Sequence, residues 1–179
     1  MMEQGFSLKS FPGDGLLADL NIKGSVSRGS NKLVICYELH GPLTEIVIPA
    51  LADTPIRRNE LWEKTCFEFF LSGGRSGPYW EFNLSPSGHW NVYHFKDYRR
   101  EMQEELSLAA LPFAVRKSAQ AFQLELEFNL DVIVKADQPL NIAVSAVIEH
   151  TKGALTYWAL THPGPQPDFH RQDGFIIEL

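Results

Sequence analysis

The chain has 179 residues, 44% of them apolar and 21% charged, a balance that fits one globular domain spanning 1–179 with a core of its own. Its formal net charge of -6 argues against nucleic acid as a partner, because affinity for a phosphate backbone comes from clustered lysine and arginine. No stretch of eighteen apolar residues occurs, which excludes a helical membrane span, and the first fifteen residues lack the apolar run of a secretory signal, so a cytoplasmic location is expected.

Period-two alternation, the mark of strands whose successive side chains point to opposite faces, recurs along the chain. In order, it predicts strands over Leu33–Leu39, Thr44–Leu51, Cys66–Leu71, Tyr79–Leu84, Trp90–Phe95, Phe122–Phe128, Ile142–Ile148, Leu155–Leu160 and Phe175–Leu179. Phe122, Leu124, Leu126 and Phe128, separated by Gln123, Glu125 and Glu127, give the clearest case of one face in a core and one in water. Cys36 and Cys66 fall inside apolar strands, where a thiol behaves as a small buried hydrophobe, and no disulfide is expected. Arg58–Lys64 suits a turn of helix. Asp97–Leu106, with Tyr98, Met102 and Leu106 at four-residue spacing, predicts one short amphipathic helix. His162–Pro167 reads as a loop before the last strand. Many short strands with turn signals between them predict an all-β fold, an antiparallel β-sandwich of nine to eleven strands.

The central hairpins can be registered from pattern. Pairing Phe67 with Phe82 and Phe69 with Trp80 brings apolar residues together and sets Glu68 opposite Glu81. In the next hairpin Pro86 and Gly88 suit a three-residue turn that pairs Leu84 with Trp90 and Asn83 with Asn91. One face of this piece, including Trp80 and Trp90, is core. The other carries Glu68, Phe70, Tyr79, Glu81, Asn83, Asn91 and Tyr93, a polar and aromatic surface. Two carboxylates facing each other on a sheet repel, so an arginine such as Arg99, a bound cation or a proton must compensate.

The segments Leu61-Trp62-Glu63-Lys64-Thr65-Cys66-Phe67-Glu68-Phe69-Phe70, Tyr79-Trp80-Glu81-Phe82-Asn83 and Pro167-Asp168-Phe169-His170 together resemble the family 9 carbohydrate-binding module and the wider DOMON-like group, over about Leu33 to Leu179. The resemblance implies a β-sandwich with immunoglobulin-like layering that binds a small saccharide or sugar-containing molecule between two aromatic platforms. Trp62 and Glu68 would form one side, Phe169 would replace the second stacking tryptophan, and Glu81 would stand where a basic residue is expected. With Asn83 between them and His170 near the rim, these six residues are the candidate site for non-catalytic recognition of a mono- or disaccharide. A sugar's C–H face stacks on an aromatic ring while its hydroxyls need fixed donors and acceptors. The resemblance also leaves a structural calcium ion open. Two other classes stay in view: a haem-binding redox domain, for which Met102 and His89, His94, His150, His162 or His170 would supply the axial pair, and a protein-interaction domain with no small ligand. His162 and His170 lack metal-site spacing, and no cofactor is expected. Glu68 and Glu81, placed face to face, stand too close for a retaining glycosidase pair, and no catalytic residue is expected.

Overall fold

In the computed structural model, which describes residues 2–14 and 19–179, the alternating segments become strands. They are β1 (Met2–Ser7), β2 (Lys9–Ser10), β3 (Asn21–Gly29), β4 (Lys32–His40), β5 (Cys66–Ser72), β6 (Tyr79–Leu84), β7 (Trp90–Phe95), β8 (Gln103–Glu104), β9 (Phe113–Lys117), β10 (Ala121–Asn129), β11 (Asn141–Glu149), β12 (Leu155–Ala159) and β13 (Ile177–Glu178). They form two sheets in which every ladder is antiparallel. One has the order β1-β3-β4-β10-β9; the other runs β2-β12-β11-β5-β6-β7-β8, with β13 beside the start of β11. The second sheet stops at both sides in strands of two residues, β2 and β8.

The sheets close on each other through aromatic side chains. From β5, Phe67 packs on Tyr37 of β4 and stacks on Phe122 of β10, while Phe69 meets Phe128. The Tyr37 hydroxyl is buried in this core and donates to the Glu68 carbonyl at 2.7 Å, so the layer boundary holds no orphaned polar group there. Strands β1 and β3 were not anticipated, because the inward series Ile22, Gly24, Val26 is broken by a glycine. Phe6, paired with Gly24 across the ladder, places its ring over the gap and meets Tyr37 edge-on, restoring the apolar face. The β3–β4 hairpin turns on Ser30 and Asn31, both in the left-handed region, as a two-residue hairpin turn demands.

Four expectations need correction. Asp97–Leu106 is not helical: Arg99 and Glu101 have φ of +52° and +51°, which no right-handed helix accommodates, and Gln103–Glu104 pair with β7 instead. The four-residue spacing of Tyr98, Met102 and Leu106 buries no apolar face, since all three are exposed. Over Thr44–Leu51 a 3-10 turn at Leu43–Glu45 and a single bridge between Ile46 and His150 replace a strand. At the end, only Ile177–Glu178 of Phe175–Leu179 joins a ladder.

The fourth correction concerns the β5–β6 register. Phe67 pairs with Leu84, Phe69 with Phe82 and Glu68 with Asn83, two residues away from the expected pairing. Each residue keeps its predicted face. The second hairpin has the expected register, Asn83 opposite Asn91 and Leu84 opposite Trp90, with Gly88 at φ +85°. The polar and aromatic face of this sheet is not solvated. Glu68, Phe70, Tyr79, Glu81, Asn83, Asn91 and Tyr93 are all buried, covered by the connections that carry Trp62, Arg99 and Phe169.

Candidate functional site

Rows of side chains cross the covered face from strand to strand. One reads Asn91, Asn83, Glu68, Ser145, Ala159; the next reads Tyr93, Glu81, Phe70, Ala143. Above them lies a cavity of about 360 Å³ whose lining includes Trp62, Glu68, Glu81, Phe169 and His170. Five of the six candidate residues thus border one space, and the sixth, Asn83, sits beneath it, fully buried. Trp62 rides on a 3-10 turn, Leu61–Glu63, and meets Tyr93 of β7 edge-on at 5.8 Å. Phe169 leans on Tyr157 of β12 at 6.2 Å. The two platforms therefore stand toward opposite sides of the same sheet face, with β11, β5 and β6 between their supports.

The carboxylates stand diagonally rather than face to face, a placement that separates backbones by roughly 7–8 Å. Direct repulsion is lessened, and so is the objection to a hydrolytic pair that rested on their closeness. Glu81 Oε1 accepts from Asn83 Nδ2 at 2.9 Å. Glu68 is 2% exposed, yet its Oε1 has no hydrogen-bond partner, and neither has the Oγ of Ser145, its direct neighbour across the β5–β11 ladder. Burial in low dielectric disfavours the charged form of both acids. It drives Glu68 well above the carboxylate range, with the nearby charge of Glu81 adding to the effect. Burial likewise lifts Glu81 to about 7, against the downward pull of the Asn83 hydrogen bond and the Arg99 charge. Arg99 compensates neither directly. Its Nη2 donates to Asp168 Oδ1 at 2.9 Å, in place of the carboxylate partner expected for it.

His170 is part of the floor, not the rim. Its ring lies 5.0–5.9 Å from those of Phe95, Phe70 and Tyr79. Burial, reinforced by the Arg99 charge, lowers its pKa to about 4, so the ring is neutral at physiological pH. Its tautomer follows from its neighbours. The Tyr79 hydroxyl accepts from the Arg99 backbone N–H at 3.1 Å, which directs its own proton to His170 Nδ1 at 2.8 Å. The ring proton then sits on Nε2, 3.6 Å from Glu81 Oε2.

The covering loops are held by side chains. Asp168 accepts from the Tyr98 hydroxyl, from Arg99 Nη2 and from the His170 backbone N–H, tying the β7–β8 connection to the one after β12. Burial alone would raise this carboxyl; the Tyr98 and Arg99 bonds outweigh it and hold the group below its usual range. Glu60, just before the Trp62 turn, and Arg99 and Glu101 opposite it, all have positive φ. Backbone conformations of this kind cost about 1–3 kcal/mol each and persist where surrounding contacts over-determine them. Tyr79, Arg99, Asp168 and Ser145 were absent from the six candidates. Asp168 had a readable signal: an aspartate two residues before His170 is suited to accept its backbone N–H.

The other histidines are spoken for locally. His150 Nε2 pairs with the Thr156 hydroxyl, His162 Nε2 with the Lys9 carbonyl and His89 Nδ1 with the Ile56 N–H, while His94 packs on Trp80. Of the haem ligands considered, only Met102 and His170 border the cavity, and both His170 nitrogens are engaged or turned to Glu81. His162 and His170 do not meet. Among the described residues no three His, Cys, Asp or Glu side chains are grouped as a metal ion requires. Cys36 and Cys66 are free thiols on different sheets.

No family model matches the sequence, and no curated protein matches it. Solved structures do. A candidate carbohydrate-binding protein from Bacteroides uniformis superposes with a TM-score of 0.66 at 11% identity, over 97% of this chain and 84% of the other. A family 9 carbohydrate-binding module from Caldicellulosiruptor kristjanssonii, solved with glucose, matches with a TM-score of 0.51 at 12% identity, over 88% and 76% of the two chains. A family 9 module from the same organism, solved with cellotriose, gives 0.51 at 13% identity, over 88% and 74%. The chain therefore has a fold similar to that of the family 9 carbohydrate-binding modules.

Proposed function

We propose that this domain binds a small saccharide without transforming it, with Trp62 and Phe169 as stacking surfaces and Glu68 and Glu81 as polar contacts below them. The observation that carries this reading is the cavity itself. Its volume of about 360 Å³ suits a mono- or disaccharide, aromatic rings stand at two of its sides, and a buried carboxylate oxygen at its base has no partner within the protein. The likeness in fold to modules solved with glucose and cellotriose supports it.

Binding is favoured over hydrolysis by the likeness in fold to structures described as carbohydrate-binding modules. The test is calorimetric titration with glucose, galactose, cellobiose and maltose, with chromatography of the sugar afterwards. Saturable binding with the sugar recovered intact is expected. Trp62→Ala should weaken it by about 1–2 kcal/mol, roughly five- to thirty-fold. A folded protein that takes up none of these sugars, or one that cleaves them, would remove this reading.

A further inference from the structure

The charges around the cavity do not balance. Arg99 and Asp168 neutralise each other at its mouth through the bond at 2.9 Å, and burial keeps His170 uncharged. That leaves Glu68 and Glu81, side by side on the buried face, with no cationic side chain bonded to either among the described residues. Two carboxylates in such a place each carry a large desolvation cost unless paired. Glu68 is the sharper case: it lines the cavity, is 2% exposed, and has one oxygen with no partner. The same cavity is lined by Trp62, Phe95, Tyr157 and Phe169. Buried acceptors inside an aromatic enclosure are the recognition chemistry of an ammonium group, which gains from the ring quadrupoles as well as from the carboxylates.

We propose that the preferred ligand of this cavity is cationic: an amino sugar, or a polyol of that size bearing an ammonium group, with its nitrogen directed to the free oxygen of Glu68 and its apolar face on the aromatic wall. The proposal rests on the saccharide reading above and narrows it. A neutral sugar hydroxyl can also donate to Glu68 Oε1, but only an ammonium brings three donors and a full positive charge to a buried carboxyl that no cationic side chain pairs. Binding of the ammonium favours the ionised form of Glu68, the carboxyl it pairs with, so a proton is released as it binds.

The test compares glucose, 2-amino-2-deoxyglucose, 6-amino-6-deoxyglucose and N-acetylglucosamine by calorimetry at pH 7, in two buffers of different ionisation enthalpy. At least one amine should bind tenfold or more tightly than both glucose and the neutral N-acetyl sugar, with proton release, and Glu68→Gln should abolish that preference. Equal affinity for glucose and the amines would overturn the proposal and leave the saccharide reading standing. A preference that survives in Glu68→Gln would overturn it as well, since the charge of Glu68 would not be what is read. If none of the four sugars binds a folded protein, both readings fall. Calcium chloride alone, titrated in the same cell, serves as a control: calcium binding that Glu68→Gln removes and that blocks the amines would assign the carboxylates to a metal and refute the proposal.

Discussion

Replacing Glu81 by glutamine keeps the shape of the side chain and its acceptor for Asn83 while removing the carboxyl proton equilibrium. In the folded chain this group ionises near 7 instead of 4.5 because it is buried. A raised folded pKa gives stability that is fully present below 4.5 and is lost as pH rises through 7, since the unfolded chain releases the proton first. At 1.36 kcal/mol per pKa unit, the shift corresponds to about 3 kcal/mol lost across that window. The stability difference between Glu81→Gln and the parent should therefore grow by about 3 kcal/mol between pH 4.5 and pH 8 in the absence of ligand. Glu68 adds to the effect in the same direction, because the Glu81 charge contributes to its own raised pKa. His170 works oppositely, its stability present above 6.5 and lost as pH falls through about 4; lying 3.6 Å from Glu81 it is coupled to the substitution, so the same pair of curves on a His170→Asn background completes the cycle. Urea unfolding followed by far-ultraviolet circular dichroism at half-unit pH steps provides the curve. A difference that stays flat across the window would refute the assignment of a costly buried charge to Glu81.

Gly24→Ala would drive a Cβ into the Cys36 carbonyl oxygen and to 2.7 Å from the Phe6 ring, so a loss of about 3 kcal/mol is expected in thermal or urea unfolding; a change below about 0.5 kcal/mol would contradict the close strand approach. Tyr79→Phe removes the hydroxyl shared by the Arg99 amide and His170 Nδ1, leaving two part-buried groups unpartnered, and should cost about 1–2 kcal/mol. The same variant should shift the His170 ring ¹⁵N resonances away from the Nε2–H tautomer, a signal that a purely packing role for Tyr79 would leave unmoved. Arg57 donates to Asn91 Oδ1, Glu105 O and Leu108 O and lies 4.3 Å above the Trp90 ring. Arg57→Lys keeps the charge but loses the planar fork, so it should destabilise by about 1–2 kcal/mol and speed amide exchange of Arg58 and Trp90, whose N–H groups close that loop on β7 and Ile56; an unchanged exchange rate would count against this anchoring.

Most of the sandwich was readable because alternation decides which face a side chain occupies. It does not decide register beyond parity, and the two central hairpins show the difference. Pro86 and Gly88 define a tight turn, and the β6–β7 pairing follows from it. Between β5 and β6 the connection is Gly73-Gly74-Arg75-Ser76-Gly77-Pro78, which imposes no turn geometry, and phenylalanines at every second position pair equally well after a slip of two. Glu68 and Glu81 were thus identified as neighbours on one face but misplaced as direct opposites. The helix at Asp97–Leu106 failed for a different reason. Its spacing is helical, but the segment is held by Tyr98 on Asp168 and by the Arg99 amide on Tyr79, contacts some 20 to 70 positions apart that no local pattern contains. The same applies to the burial of the polar face: each covering loop reads as an ordinary connection until its long-range hydrogen bonds are seen. Trp62, Glu68 and Phe169 were found through the family resemblance, whereas Ser145, an alternating position on a strand like many others, offered nothing to single it out.

The sheet beneath the cavity ends on both sides in two-residue strands, and this bears on how the protein keeps company with itself. A strand from another molecule docking at β2 or β8 would find a ladder of only two residues, too little to repay the loss of freedom on association. The five-stranded sheet is less guarded, since β1 offers six residues along its free side and β9 five, the latter carrying Arg116 and Lys117 as deterrents. Self-association by strand addition would therefore use the β1 side of the opposite layer, and chains joined that way would still present their cavities outward, each open to its own ligand.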